Sequence, residues 1–362
     1  MRTADAKPVG PWWRRRVPLG ALAIAVVAVL LVGELSARVL DGGLPPERGP
    51  LQELLVKDQQ VHALAKDGRI DVLFAGSSTT DAGVDPDRFD DQSKVFDRSY
   101  NAALKGMPIR LQGEWLDQVL PELKPKVLVL DLQPTLVIVP QGEAAAGYLN
   151  SLNSYQSWLR TTSDQPLARL DRWFSARSTL VKDRQRFQQP SLVARAVANR
   201  VTGKDPGASL DEDTRGWVLS HTTELGRTLD YREAPDAVVQ DRSLATKFNE
   251  VLGWKFDLDD ADALIRSLEK KGITVVLSIM PIDVPTLSNL GLKVSRYTSA
   301  VDRIKALAKR RDVPVLELGT DLDPLDYHDK VHIADPGSAK VTDELARRID
   351  ALCADGACDH GS

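Results

Sequence analysis

The chain is short of cysteine, of net charge and of internal repetition, and the last two each remove a class of partner or fold. It has two cysteines, Cys353 and Cys358, both in the stretch after Leu352. Gly356 gives the short loop between them the freedom to bring the sulfurs together, and an oxidising compartment would let them bond; otherwise they are two thiols on a tail. A formal net charge of −4 over 362 residues gives no electrostatic basis for a nucleic-acid partner. No period of roughly 20–50 residues recurs, which excludes a solenoid. The one Gly-Ser-rich turn after a strand pattern, Gly76-Ser77-Ser78-Thr79-Thr80, lacks the Lys of a P-loop and the spacing of a dinucleotide fingerprint. That argues against a phosphate cradle.

What remains is an ordinary globular balance, 43% hydrophobic and 27% charged, attached to an unusual start. Trp12-Trp13-Arg14-Arg15-Arg16 precedes an uncharged run from Val17 to Gly33. Seventeen helical residues span about 25 Å, near the minimum for a bilayer core. Three leading arginines would hold residues 1–16 in the cytoplasm, with the Trp pair at the interface. An anchor over 17–36 and a linker over 37–50 then place the rest of the chain outside the cytoplasm. A cleaved signal with Leu35-Ser36-Ala37 at its cleavage site sends it to the same side. A buried core helix is the third reading, against which the tri-arginine start argues.

Beyond the linker, short apolar runs alternate with helical periodicity. The spacing predicts a helix over 51–65 and strands at Asp71–Ala75, Val95–Tyr100 and Lys126–Leu130, with a helix over Ile109–Val119. Later come a helix over Asp260–Lys270, a strand at Ile273–Ile279, a helix over Tyr297–Arg310, a strand at Val313–Leu318 and a helix over Gly337–Leu352. Such alternation implies a mostly parallel sheet covered on both faces, with ligands beyond the carboxyl ends of its strands. Between about 141 and 255 the alternation breaks. This stretch, with Trp158, Trp173, Trp217 and Trp254, helical character over Pro166–Gln188 and a polar loop over Thr202–Arg215, reads as a helical insertion. Its tryptophans could stack on sugars, but packing is the commoner role.

Two elements carry chemistry. Ser78 follows the first strand directly, where a strand-to-helix turn can expose a nucleophile. Asp329-Lys330-Val331-His332 follows the last strand, and a carboxylate three residues from a histidine can orient it as a general base. His328 and His332, with Asp326 and Asp329, could instead be read as metal ligands, but they precede a helix and do not lie within one. His62, His221 and His360 have no suggestive neighbours. Asp81 reads as a capping or solvated residue.

With these blocks in order, the sequence resembles the SGNH (GDSL-like) hydrolase family, over about 70–135 and 258–350. The family's Gly-Asp-Ser turn corresponds to Gly76-Ser77-Ser78, with Ser77 in place of Asp. Its Asn and the Gly five residues on correspond to Asn101 and Gly106. Its Gly-x-Asn-Asp corresponds to Asp131-Leu132-Gln133-Pro134, and its Asp-x-x-His to Asp329 and His332. The resemblance implies a flavodoxin-like doubly wound parallel sheet within a domain over 51–352; the helical insertion, the terminal tail over 353–362 and the one N-terminal transmembrane helix are read from the residues and lie outside it. It implies a Ser78–His332–Asp329 triad, and an oxyanion site built from Ser78, Gly106 and Gln133, with no cofactor and no metal. The expected activity is acyl-ester hydrolysis or O-acyl transfer on an acyl ester or polysaccharide of the cell envelope. The expected partners are the membrane and a membrane protein that supplies an acyl donor, with no nucleic acid. A non-catalytic envelope protein of the same fold, binding glycans or assembling a machine, is the alternative.

Overall fold

The computed structural model describes residues 19–44, 50–134, 137–139, 143–163, 165–175, 177–204, 242, 245–253, 255–327, 329–356 and 358. The chain forms two compact units: Met1–Pro46 with Pro166–Ala208, and Glu47–Gln165 with Ser209–Ser362.

The larger unit is built on five parallel strands. In chain order these are β1 (Val72–Ala75), β2 (Ser99–Asn101), β3 (Val127–Asp131), β6 (Thr274–Ile279) and β7 (Val315–Glu317). They lie in the order β2-β1-β3-β6-β7, the flavodoxin-like doubly wound arrangement. Every residue of β1, β3 and β6 is buried, as expected for parallel strands covered on both faces. Successive side chains alternate between two cores. Leu73, Ala75, Leu128, Leu130, Leu277 and Ile279 face the core made with helices Ile109–Leu123, Asp259–Lys270 and Val294–Arg311. Val72, Phe74, Val127, Val129 and Val276 face the other, made with Phe89 and the final helix Asp335–Ala354. A separate two-residue ribbon pairs β4 (Ile138–Val139) antiparallel with β5 (Lys255–Phe256), bringing together the two ends of the long stretch between β3 and β6.

The expected β2 is shorter and later than the apolar pair Val95-Phe96 suggested. Phe96 packs into the second core from a bend that Ser93 and Asp350 hold by hydrogen bonds, and pairing with β1 begins only at Ser99. Strand order reverses between β1 and β3. The crevice beyond their carboxyl ends is where such sheets bind ligands.

In the smaller unit, one helix, Leu19–Asp41, is long and apolar enough to cross a membrane, and 6% of its most apolar window is buried. The expected continuous helix over Pro166–Gln188 is broken into Pro166–Ser175, Thr179–Lys182 and Arg184–Phe187. Glu34 explains one break. It accepts from Ser178 Oγ at 2.7 Å and from the backbone N–H groups of Thr179 and Leu180 at 3.1 Å, satisfying the exposed start of the middle segment. The expected disulfide joins Cys353 to Cys358.

The layering makes β3 the least tolerant element. Leu128→Ala is expected to lower unfolding free energy by about 2–5 kcal/mol in a urea titration. Leu325→Ala, at an exposed position, is expected to change it by no more than about 0.5 kcal/mol.

Candidate active site

Ser78 opens the short helix Ser78–Gly83 immediately after β1, where the backbone N–H has no partner within the helix. The turn is tight because Gly76 has no side chain: a Cβ there would overlap Thr80 Oγ1 and Asp131 Cβ. Asp131, the last residue of β3, is fully buried and accepts from Met280 N at 3.0 Å and from Thr79 Oγ1 at 3.2 Å. It thereby joins the ends of β3 and β6 to the serine turn. Burial pushes its carboxyl up to about 6, against those hydrogen bonds.

The turn carrying Asp329 and His332 arrives from the far end of the sequence. Ser78 Oγ lies 2.8 Å from His332 Nε2, and His332 Nδ1 lies 2.7 Å from Asp329 Oδ2. The other carboxylate oxygen of Asp329 accepts from the N–H groups of His332, at 2.7 Å, and Val331, at 3.1 Å. Desolvation opposes ionisation of Asp329, yet these hydrogen bonds and the His332 charge hold its carboxyl below the ordinary value. Lys330 between them has φ +70°, a conformation that costs a side-chain-bearing residue about 1–3 kcal/mol. Asp283 holds it there: its N–H donates to Lys330 O at 2.9 Å and its carboxylate sits 3.4 Å from the buried Lys330 ammonium. The chain thus tolerates strain where it shapes the Asp-x-x-His turn.

The second block is stitched to the same place. Ala102 N donates to Phe74 O and Leu104 N to Gly76 O, which lays the loop 101–106 along the serine turn. Asn101, fully buried, donates from Nδ2 to Thr80 O and Val84 O at 2.9 Å and accepts from Ala103 N at 3.1 Å. Gly106 follows with φ +65°, a left-handed turn that favours glycine. Gln133 is buried two residues past β3, beside the switch point. The geometry therefore joins Ser78, His332 and Asp329 directly and places Gly106 and Gln133 on the two loops flanking the serine.

One network went unread in the sequence. Asp81 is neither a cap nor solvated: it is fully buried, 2.6 Å from the Lys57 ammonium. Lys57, itself buried, also donates to Ala103 O, and Glu53 accepts from Lys105 N at 3.0 Å. Tyr155 donates to Lys105 O. The helix Pro50–Leu64 thus clamps the 101–106 loop through charged side chains. Burial, reinforced by Asp81, pushes the Glu53 carboxyl up to about 8. The only advance signal was the Glu53/Lys57 spacing of four on a helix, which ordinarily marks a solvated pair.

Other expectations meet mixed outcomes. Asp326 accepts from Asp323 N and pairs with Lys340 at 2.7 Å, and His332 is engaged with Ser78 and Asp329. His328, His221, His360, Trp217 and Trp254 lie outside the described residues. His62 is exposed, 3.8 Å from Asp58. Trp158 packs against the core beside Tyr155, whereas Trp173 is half exposed. Beyond the ends of β6 and β7 lies a cavity of about 170 Å³ lined by Met280, Ile282, Tyr297, Leu318 and Tyr327.

No protein-family model matches the chain, and no curated protein matches it significantly. Solved structures do match. One is the crystal structure of a protein assigned as an acylhydrolase from Bacteroides fragilis NCTC 9343, with 12% identity over 82% of this chain and 96% of that one, at a TM-score of 0.37. At that score the likeness decides neither fold nor chemistry.

Two substitutions separate the roles in the clamp. Lys57→Met leaves the buried Asp81 with only the more distant Lys105 ammonium, at 3.7 Å, as counter-charge and should cost about 3–5 kcal/mol by denaturant titration. Glu53→Gln keeps the acceptor for Lys105 N and should be well tolerated at neutral pH. Because burial raises the folded-state value of Glu53 from 4.5 to about 8, its contribution is full below pH 4.5 and lost as pH climbs through about 8. The wild-type chain should therefore lose stability relative to Glu53→Gln across that window.

Proposed function

We propose that this chain is a serine-dependent acyl-ester hydrolase or O-acyltransferase of the SGNH type, anchored by its N-terminal helix and acting on carbohydrate or lipid of the cell envelope. The observation that carries the reading is the continuous relay from Ser78 Oγ through His332 to Asp329, at 2.8 and 2.7 Å. Such a relay is what a nucleophilic serine requires.

In this reading His332 accepts the Ser78 proton as Oγ attacks the ester carbonyl. Asp329 fixes the tautomer with Nδ1–H and stabilises the imidazolium. The tetrahedral oxyanion takes hydrogen bonds from the N–H groups of Ser78 and Gly106 and from the Gln133 amide. Collapse expels the alcohol, which takes its proton from His332, and leaves an acyl-Ser78 ester. Water resolves it in a hydrolase, a sugar hydroxyl in a transferase, with His332 again as base.

Retention of the N-terminal helix is supported by its integration into a folded unit. Leu35-Ser36-Ala37 lies inside the helix, and residues on both sides of it are bonded: Glu34 to the 178–180 turn, Val39 O to Arg200 Nε at 2.8 Å. A cleavable signal would have no use for such partners. An anchored domain acts on what lies at the membrane surface, hence an envelope substrate.

The reading is tested by treating the full-length protein with a fluorophosphonate probe and measuring intact mass. One adduct is expected, absent from Ser78→Ala, which should fold normally and lose all esterase activity. Gln133→Ala should slow turnover, by up to about 2.7–4 kcal/mol of transition-state stabilisation if it supplies a full oxyanion donor. A folded protein that takes no adduct would sink the enzyme reading in favour of a glycan-binding role.

A further inference from the structure

The smaller unit carries apolar side chains that its own packing leaves uncovered. On the helix Pro166–Ser175, Leu167 is 80% exposed and Trp173 50%, with Leu170 and Phe174 also exposed. Spacings of three and four put all of these on one face. On Pro190–Thr202, Val197 and Val201 repeat the pattern four residues apart, and Val201 is 81% exposed. The span 166–204 has nine Lys/Arg against two Asp/Glu, in a chain whose net charge is −4. Apolar and basic character thus coincide in one element, and Arg177 covers the Trp173 ring at 4.3 Å.

These helices are gathered at one end of the membrane-length helix. Glu34 holds the 178–180 turn, Arg38 Nη2 reaches Arg177 O, Arg200 Nε donates to Val39 O, and Asn199 Nδ2 donates to Gly43 O at 2.9 Å. Among the described residues, the helix's hydrogen bonds to these segments fall at or beyond Glu34, where its uncharged run ends. The preceding residues, from Gly20 to Val32, are exposed.

We propose that the unit is an interfacial collar: the Leu167/Leu170/Trp173/Phe174 face and the Val197/Val201 stripe lie in the headgroup region of an anionic lipid bilayer at the point where the anchor emerges. This rests on the anchor reading above. An amphipathic helix with Trp, Phe and Leu on one side and arginines on the other is the composition that partitions to that depth, and the charge excess is complementary to lipid phosphates. Soluble packing would leave these side chains in water, and a large uncovered apolar patch marks an interaction surface. The collar also gives the Glu34 carboxylate its partners at the edge of the hydrocarbon, where an unsatisfied charge is costly.

The test uses the full-length chain, its native disulfide intact, reconstituted in vesicles containing phosphatidylglycerol. Single-cysteine variants Leu167→Cys, Val201→Cys, Arg169→Cys and Val26→Cys each carry an environment-sensitive fluorophore. Labels at 167 and 201 are expected to be quenched severalfold more by shallow doxyl-lipid than the label at 169, about 200° around the helix from Leu167, with the order reversed for aqueous iodide. Their lipid quenching should fall when phosphatidylcholine replaces the anionic lipid; equal quenching in both would overturn the headgroup pairing. Iodide quenching at 167 equal to that at 169 would place the face in water. Resistance to both quenchers would mean that protein, a second copy or another chain, covers it. Either result overturns the proposal. The Val26 label reads the anchor separately: if deep doxyl-lipid fails to quench it, the anchor reading itself has failed, whereas quenching at 26 without quenching at 167 removes the collar alone.

Discussion

The site depends on β1 being paired in parallel on both sides at once. Val72–Ala75 aligns with Val127–Leu130 on one edge, and Val72–Phe74 with Ser99–Asn101 on the other. Parallel register brings three carboxyl ends to the same level, so three loops leave the sheet together: the serine turn, the 101–106 loop and the segment holding Gln133. Nothing in these loops is regular enough to hold itself. Their order comes from buried polar side chains that bridge one loop to the next, Asn101 from β2 and Asp131 from β3. The last turn, carrying Asp329 and His332, is then met by a serine whose position the sheet has already set.

Charged groups in the interior complete that scaffold at a cost. Replacing a buried ion pair by apolar residues of like volume is often neutral or favourable for stability, so Lys57 and Asp81 are poorly explained as glue. What an apolar pair could not do is hold the Ala103 carbonyl. The clamp orients the peptide groups of the 101–106 loop, and in the proposed mechanism one of these, at Gly106, faces developing charge. Pre-set dipoles are the largest single contribution to such reactions. The strained Lys330 and its Asp283 partner do for the Asp-x-x-His turn what Lys57 and Asp81 do for the 101–106 loop.

The parts legible in the sequence are those where one physical rule acts alone. The strands expected at Asp71–Ala75, Lys126–Leu130 and Ile273–Ile279 were legible because each holds a short, mostly apolar run, as strands buried on both faces do. Ser78 and the Asp329/His332 pair were legible from their positions after strands. What escaped were the places where burial overrides residue type. Ser99 and Asn101 are fully buried in an edge strand too polar to announce itself, and Glu53, Lys57 and Asp81 have the composition of a surface. The helix end at Ser175 and the new start at Thr179 escaped for a different reason. Their cause, the Glu34 carboxylate, lies 144 residues away in sequence, and no local pattern records a distant cap.

Ser77, beside Ser78, and Asp131, at the end of β3, belong to one electrostatic unit. The structure links the two positions through one hydroxyl. Ser77 Oγ lies 3.3 Å from Thr79 Oγ1, which donates to Asp131 Oδ2 at 3.2 Å. A carboxylate therefore faces the serine turn, delivered by β3. With Asp at 77 as well, two carboxyls would share a buried site in which Asp131 alone is already pushed up to about 6. Like charges at such separations are not both ionised in a low-dielectric interior, and one would be forced neutral. Serine at 77 removes that conflict while preserving the hydrogen-bond chain. Ser77, Thr79 and Asp131 thus act as one buried unit that ties the serine turn to the end of β3.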